Sequence, residues 1–233
     1  MCAYYPYTLT FFSVLLYQIY KVPKGFEKPR ESEVLILFKI IYNEYIMVRN
    51  KIIFLRHAYP LKDPNVNAAL WGLSEIGKKQ AESVATLPDM NSVDVIYVSE
   101  EKKTTLTVLP LAQKIKKDFQ PLAFFNEVKR GDKFLTKEEF EAEKIKQLEN
   151  LSYRAFDGES GNAALSRFKQ GINYIFKKNP DKTILVVTHG TILNIYFADL
   201  LNAYNELPQR WKKTVFCAYG IVEDGKILKD IIT

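Results

Sequence analysis

Ile52-Ile53-Phe54-Leu55-Arg56-His57 and Ile184-Leu185-Val186-Val187-Thr188-His189-Gly190 are two short apolar runs, each ending on a histidine. An unbroken apolar run without polar alternation is the pattern of a strand buried on both faces, as in a parallel sheet covered by helices. Ligands of such sheets bind beyond the carboxyl ends of the strands. Two strands that each deliver a histidine at that end therefore place both imidazoles at one site. They are the only histidines in the chain.

The pattern around these runs is regular. Ser74–Thr86 predicts a helix with Ser74 as N-cap and with Ile76, Val84 and Leu87 near one face. Val93–Val98 predicts a second strand, and Lys102–Lys117 a helix that Pro110 kinks or shortens. Leu122–Phe125 suits a short third strand. Thr136–Leu148 is a charged helix, and Ser160–Lys178 is a longer one with Ala164, Leu165, Phe168, Ile172 and Ile175 at helical intervals. After the strand Thr183–Thr188 come a helix over Thr191–Asn202 and a last, amphipathic strand over Thr214–Val222, near an edge. Strands alternating with helices predict an α/β fold, a three-layer α/β/α sandwich with a mostly parallel central sheet.

The first 46 residues differ. Met1–Tyr20 carry no charged side chain, and the apolar stretch Leu9–Tyr17 is shorter than the ~20 residues a membrane-spanning helix needs. Lys21–Glu33 contains Pro23, Gly25 and Pro29 and reads as a linker. Three readings suit this extension: a packing appendage, a weak membrane-proximal anchor, or a stretch upstream of a true start at Met47. The division is thus 1–46 as an extension and 47–233 as the domain. The net charge of +6 is spread along the chain, without the basic stripe and exposed aromatics of a nucleic-acid binder. Cys2 and Cys217 are far apart and lack metal-ligand spacing, which points to a reducing, cytoplasmic setting and to no metal site.

The two strand ends carry recognisable chemistry. Arg56 offers a planar fork of donors that suits phosphate. A neutral His57, its tautomer fixed by a backbone carbonyl, can attack phosphorus. His189-Gly190 opens a helix whose first N–H groups and dipole favour an anion, and Gly190 lets the backbone come close to a phosphate.

These motifs resemble those of the histidine phosphatase superfamily, the phosphoglycerate mutase-like family. Leu55-Arg56-His57-Ala58-Tyr59-Pro60 resembles its Arg-His-Gly signature, and Gly72-Leu73-Ser74-Glu75-Ile76-Gly77 resembles the helix start that follows. Phe125-Asn126-Glu127-Val128 with Gly131 resembles the segment bearing the acidic residue. Gly158-Glu159-Ser160 with Arg167, and Val187-Thr188-His189-Gly190, resemble the later motifs. The resemblance implies that His57 becomes phosphorylated and that Arg56 and His189 bind the phosphoryl group. It also implies that Glu127 protonates the leaving oxygen and then deprotonates water, with no cofactor. Arg167 and Glu159 suit a structural ion pair; Trp71 and Tyr59 suit either the pocket wall or the core.

Two positions depart from the family pattern. Ala58 stands where glycine is usual. Lys103, four residues after Ser99, stands where a second phosphate-binding arginine is usual. Lys103, or its neighbour Lys102, then binds phosphate as a point charge, or the position has lost that role. The expected function is a histidine acid-type phosphatase acting on a small phosphorylated metabolite. A phosphoglycerate mutase-like phosphotransferase and a weakly active phosphate-binding protein are the alternatives.

Overall fold

The computed structural model describes residues 50–131 and 136–232. The 1–46 extension and its boundary at Met47 lie outside the described residues. Among the described residues six strands form one sheet: β1 (Lys51–Arg56), β2 (Val95–Val98), β3 (Phe119–Pro121), β4 (Thr183–Thr188), β5 (Tyr219–Glu223) and β6 (Lys226–Lys229). Their order is β3-β2-β4-β1-β5-β6. The first four in that order are parallel, and β5 and β6 are antiparallel to their neighbours.

Among the described residues the helices are α1 (Glu75–Val84), α2 (Lys102–Ile115), α3 (Lys137–Glu149), α4 (Gly161–Lys178), α5 (Gly190–Leu201) and α6 (Leu207–Lys213). Alternation along the strands splits the core in two. Ile52, Phe54, Ile184 and Val186 face α4 and α5 through Phe168, Ile172, Ile192 and Ile195. Ile53, Leu55, Leu185 and Val187 face α1 and α2 through Val84, Val108 and Leu111. Both faces of the central strands are covered, which is why their sequences show no polar alternation. This is the expected α/β/α layering.

Three helix starts are capped by side chains, Ser74 as expected. The Ser74 hydroxyl accepts from the Gly77 N–H, the Ser160 hydroxyl from the Ala163 N–H, and Thr136 forms a capping box with Glu139. Four details differ from the sequence reading. Ile76 is exposed, and α1 buries Gly77, Ala81 and Val84 instead. Pro110 lies inside α2, which continues to Ile115 because Val108, Leu111 and Ala112 anchor it to the sheet.

The third strand is Phe119–Pro121, not Leu122–Phe125. The apolar run beyond it forms a 3-10 turn, Ala123–Phe125, against α4, with Phe125 buried and packed on Phe168 at 5.4 Å. This turn approaches α4 so closely that a Cβ at Gly171 would stand 2.5 Å from the Phe124 Cβ. Finally, the last predicted strand starts later, at Tyr219; it lies near the edge of the sheet as expected, with β6 outside it. Asp224 and Gly225, with φ of 49° and 74°, make the two-residue turn between them, as a right-twisted hairpin requires.

Candidate active site

Strand register builds the centre of the site. β1 and β4 pair in parallel with Arg56 opposite Thr188, so His57 and His189 leave the sheet side by side. The His57 N–H donates to the Thr188 carbonyl at 2.9 Å. Their rings are 5.1 Å apart between centroids, at 62°. His57 Nδ1 lies 2.8 Å from the Ala58 carbonyl, a contact that requires the proton on Nδ1 and leaves the lone pair on Nε2. Burial, then the nearby His189, Lys103 and Arg56, hold the His57 pKa well below the usual imidazole value, so the ring is neutral near pH 7.

Arg56 donates through Nη1 to the Thr214 carbonyl and lies over the Phe216 ring, with Cζ 4.1 Å from the centroid. Gly190 makes room for it: a Cβ there would stand 2.9 Å from both Cζ and Nε of Arg56. The absent side chain thus admits the guanidinium. Arg56 Nε and His189 Nδ1 are buried without a hydrogen-bond partner among the described residues.

On the other side of His189, its Nε2 is 2.7 Å from the Ser99 hydroxyl and 3.3 Å from Glu101 Oε1. Burial, then the charges of Lys103 and Arg56, pull His189 down to about 3 against the opposing pull of Glu127. Lys103 is buried on α2. Its ammonium pairs with Glu101 and donates to the Ala68 carbonyl at 2.8 Å. Lys102 is exposed and does not line the cavity.

Glu127 lies at the start of α5. Its carboxylate accepts from the N–H groups of Thr191, Ile192 and Val128, each at 3.0 Å. The sequence suggests this helix end as a seat for a substrate anion; in the structure the chain's own carboxylate takes those donors. Burial alone pushes the Glu127 carboxyl up. His189, Lys144 and the Thr191 and Val128 N–H groups outweigh it and hold the pKa at about 2. Arg167 fixes the backbone beneath. It pairs with Glu159 at 2.7 Å and donates to the carbonyls of Ala123, Phe124, Asn126 and Glu127.

His57, Arg56, Lys103, Glu127, His189 and Gly190 all line one cavity of about 390 Å³. The sequence profile of the histidine phosphatase superfamily (branch 1) matches residues 52–227. The chain belongs to that superfamily. Its fold is shared with solved structures of low identity. A mycobacterial glucosyl-3-phosphoglycerate phosphatase superposes with a TM-score of 0.66 at 16% identity, over 79% of this chain and 100% of that one. A phosphoserine phosphatase mutant from Entamoeba histolytica, in complex with phosphoserine, gives 0.60 at 21%, over 77% and 94%. A phosphoglycerate mutase from Bacillus anthracis gives 0.57 at 16%, over 78% and 94%. A search of curated proteins by sequence found no match.

Against the superfamily pattern, the alanine at position 58 is accommodated without strain. Ala58 has no positive φ, and its methyl packs with Leu73 and Ala81 outside the cavity. Trp71 lines the cavity, with Nε1 donating to the carbonyls of Asp63 and Val66. Tyr59 instead meets Phe216 edge-to-face at 4.8 Å outside it.

Sequence reasoning missed Glu101, Arg130, Lys144 and Phe216, all in the cavity wall of this superfamily member. Glu101 and Arg130 lie next to motif residues, but among many charges of a lysine-rich chain nothing local marks them. Among the described residues no His, Cys, Asp and Glu cluster is arranged to hold a metal, and no helix is long and apolar enough to cross a membrane.

Proposed function

We propose that this protein is a phosphomonoesterase that hydrolyses a small phosphorylated metabolite through a phosphohistidine on His57. One observation carries the reading: a neutral His57, with Nδ1 bonded to the Ala58 carbonyl, stands in one cavity with Arg56, Lys103 and His189. In the first step His57 Nε2 attacks phosphorus, the P–O ester bond breaks, and Glu127 gives its proton to the leaving oxygen. In the second, water attacks the phosphohistidine, Glu127 takes the water's proton, and the P–N bond breaks. Arg56 and His189 meet the equatorial oxygens, and their two unpartnered buried nitrogens suit an arriving anion. The ionised Glu127 fits the second step. For the first, a phosphate dianion brought beside it raises its pKa toward protonation. The two widely separated cysteines support a cytoplasmic setting.

A second reading, a weakly active phosphate-binding protein, is favoured by Lys103, whose charge is balanced by Glu101. Hydrolysis of para-nitrophenyl phosphate and acid-quench trapping of a labelled phosphoprotein, in wild type and His57→Ala, separate the two. Turnover and label that vanish in His57→Ala support the phosphatase. Phosphate binding without turnover or label in wild type supports the second reading.

A further inference from the structure

The cavity extends beyond the groups that a phosphoryl transfer needs. Its outer part is walled by Trp71, Phe140 and Trp211, and a second cavity opens onto the same residues and shares Arg130 and Lys62 with the first. Arg130 lies between two of these rings. Its Cζ is 5.6 Å from the Trp71 centroid and 5.4 Å from that of Phe140. The Trp71 ring is held by its two carbonyl bonds, and Phe140 packs against Trp211 at 6.5 Å. The guanidinium is therefore positioned by rigid aromatic walls.

Among the described residues, no hydrogen bond or ion pair engages Arg130. Glu101 and Glu127 attract it through space only. That differs from three cations nearby: Arg56 is bonded to Thr214, Lys103 is paired with Glu101, and Arg167 is paired with Glu159. A guanidinium held over aromatic faces keeps its N–H donors available, and those donors match the two oxygens of a carboxylate or a phosphate. A neutral alcohol would leave this charge half-buried without a partner.

We propose that Arg130 binds a second anionic group on the substrate, so that the leaving alcohol itself carries a carboxylate or a further phosphate. This rests on the phosphomonoesterase reading and narrows its substrate class. Arg130 acts as a specificity residue, on the part of the wall that the two cavities share.

The test uses three probes that differ only at the far carbon: propyl phosphate, 3-phosphonooxypropanoate and the bisphosphate of 1,3-propanediol. Affinity is measured by calorimetry and turnover by phosphate release, in the full chain and in Arg130→Gln and Arg130→Lys. One or both anionic probes bind about tenfold or more tightly than propyl phosphate, as one charge-assisted contact predicts. In Arg130→Gln that ratio collapses toward one, and Arg130→Lys restores part of it. The better of the two anionic probes identifies the group as carboxylate or phosphate.

Equal binding of all three probes by wild type, or a preference that persists in Arg130→Gln, overturns the proposal. A preference that depends on Arg130 without turnover of any probe upholds the subsite and overturns the phosphatase reading instead. Turnover without preference does the reverse.

Discussion

A neutral imidazole set among cations works over a different pH range from a free one. Because burial and three neighbouring groups lower the His57 pKa, protonation of the nucleophile is deferred to more acid solution. The acid limb of kcat/KM should therefore fall well below pH 6.5, and a limb at or above that value would contradict the described environment. Glu101 supplies a second residue-scale prediction. Its carboxylate touches His189 Nε2, pairs with Lys103 and accepts from the Glu127 N–H at 3.1 Å. It is an internal anion among groups proposed to bind phosphate. Glu101→Gln should lower the inhibition constant of inorganic phosphate by about an order of magnitude, since one nearby unit charge at a partly solvated site is worth that much. An unchanged constant would mean that phosphate sits elsewhere.

At the scale of elements, the site depends on how the Ala123–Glu127 turn is held. One arginine on α4 satisfies four of its carbonyls and is itself held by Glu159. Arg167→Met should cost on the order of 2–3 kcal/mol in urea unfolding, because it leaves a half-buried carboxylate and several carbonyls without their donor. It should also lower kcat more than it raises KM, because Glu127 shifts while Arg56 stays in place. This turn also marks how far the sequence could be read. The apolar runs of β1 and β4, and the capping serines and threonine, state their structure locally, through burial and short-range hydrogen bonds. Leu122–Phe125 is equally apolar, but its burial comes from α4, more than forty positions later in the chain, and the same pattern serves a turn as well as a strand. The position of Glu101 is likewise set by where the end of β2 meets the end of β4. Motif order brought His57, His189 and Glu127 to notice; contacts between distant segments decide what each of them touches.

For the molecule as a whole, three buried titratable groups act in the same direction. The folded-state pKa values of His57 and His189 lie below the ordinary 6.5, that of His189 at about 3. The unfolded chain therefore takes up protons first as pH falls below 6.5, and stability is lost from there downward. Glu127, lowered from 4.5 to about 2, adds a further loss below 4.5. The urea midpoint should be level above pH 7, fall below 6.5, and fall more steeply below 4.5. His189→Gln should flatten the upper part of that slope. A midpoint that rises on acidification would show that these groups are charged differently in the folded chain.

The order of the six strands places short or charged segments at both borders of the sheet. β3 spans only Phe119–Pro121 and closes with a residue that has no N–H to offer. At the opposite border, β6 carries Lys226 and Lys229, and the Lys229 ammonium folds back to 3.5 Å from the Tyr219 ring centroid. Among the described residues, neither border presents the long, flat, apolar rim onto which a foreign strand could be added. The fold thus resists edge-to-edge aggregation at both of its open ends, while its reactive groups stay at the carboxyl end of the strands between them.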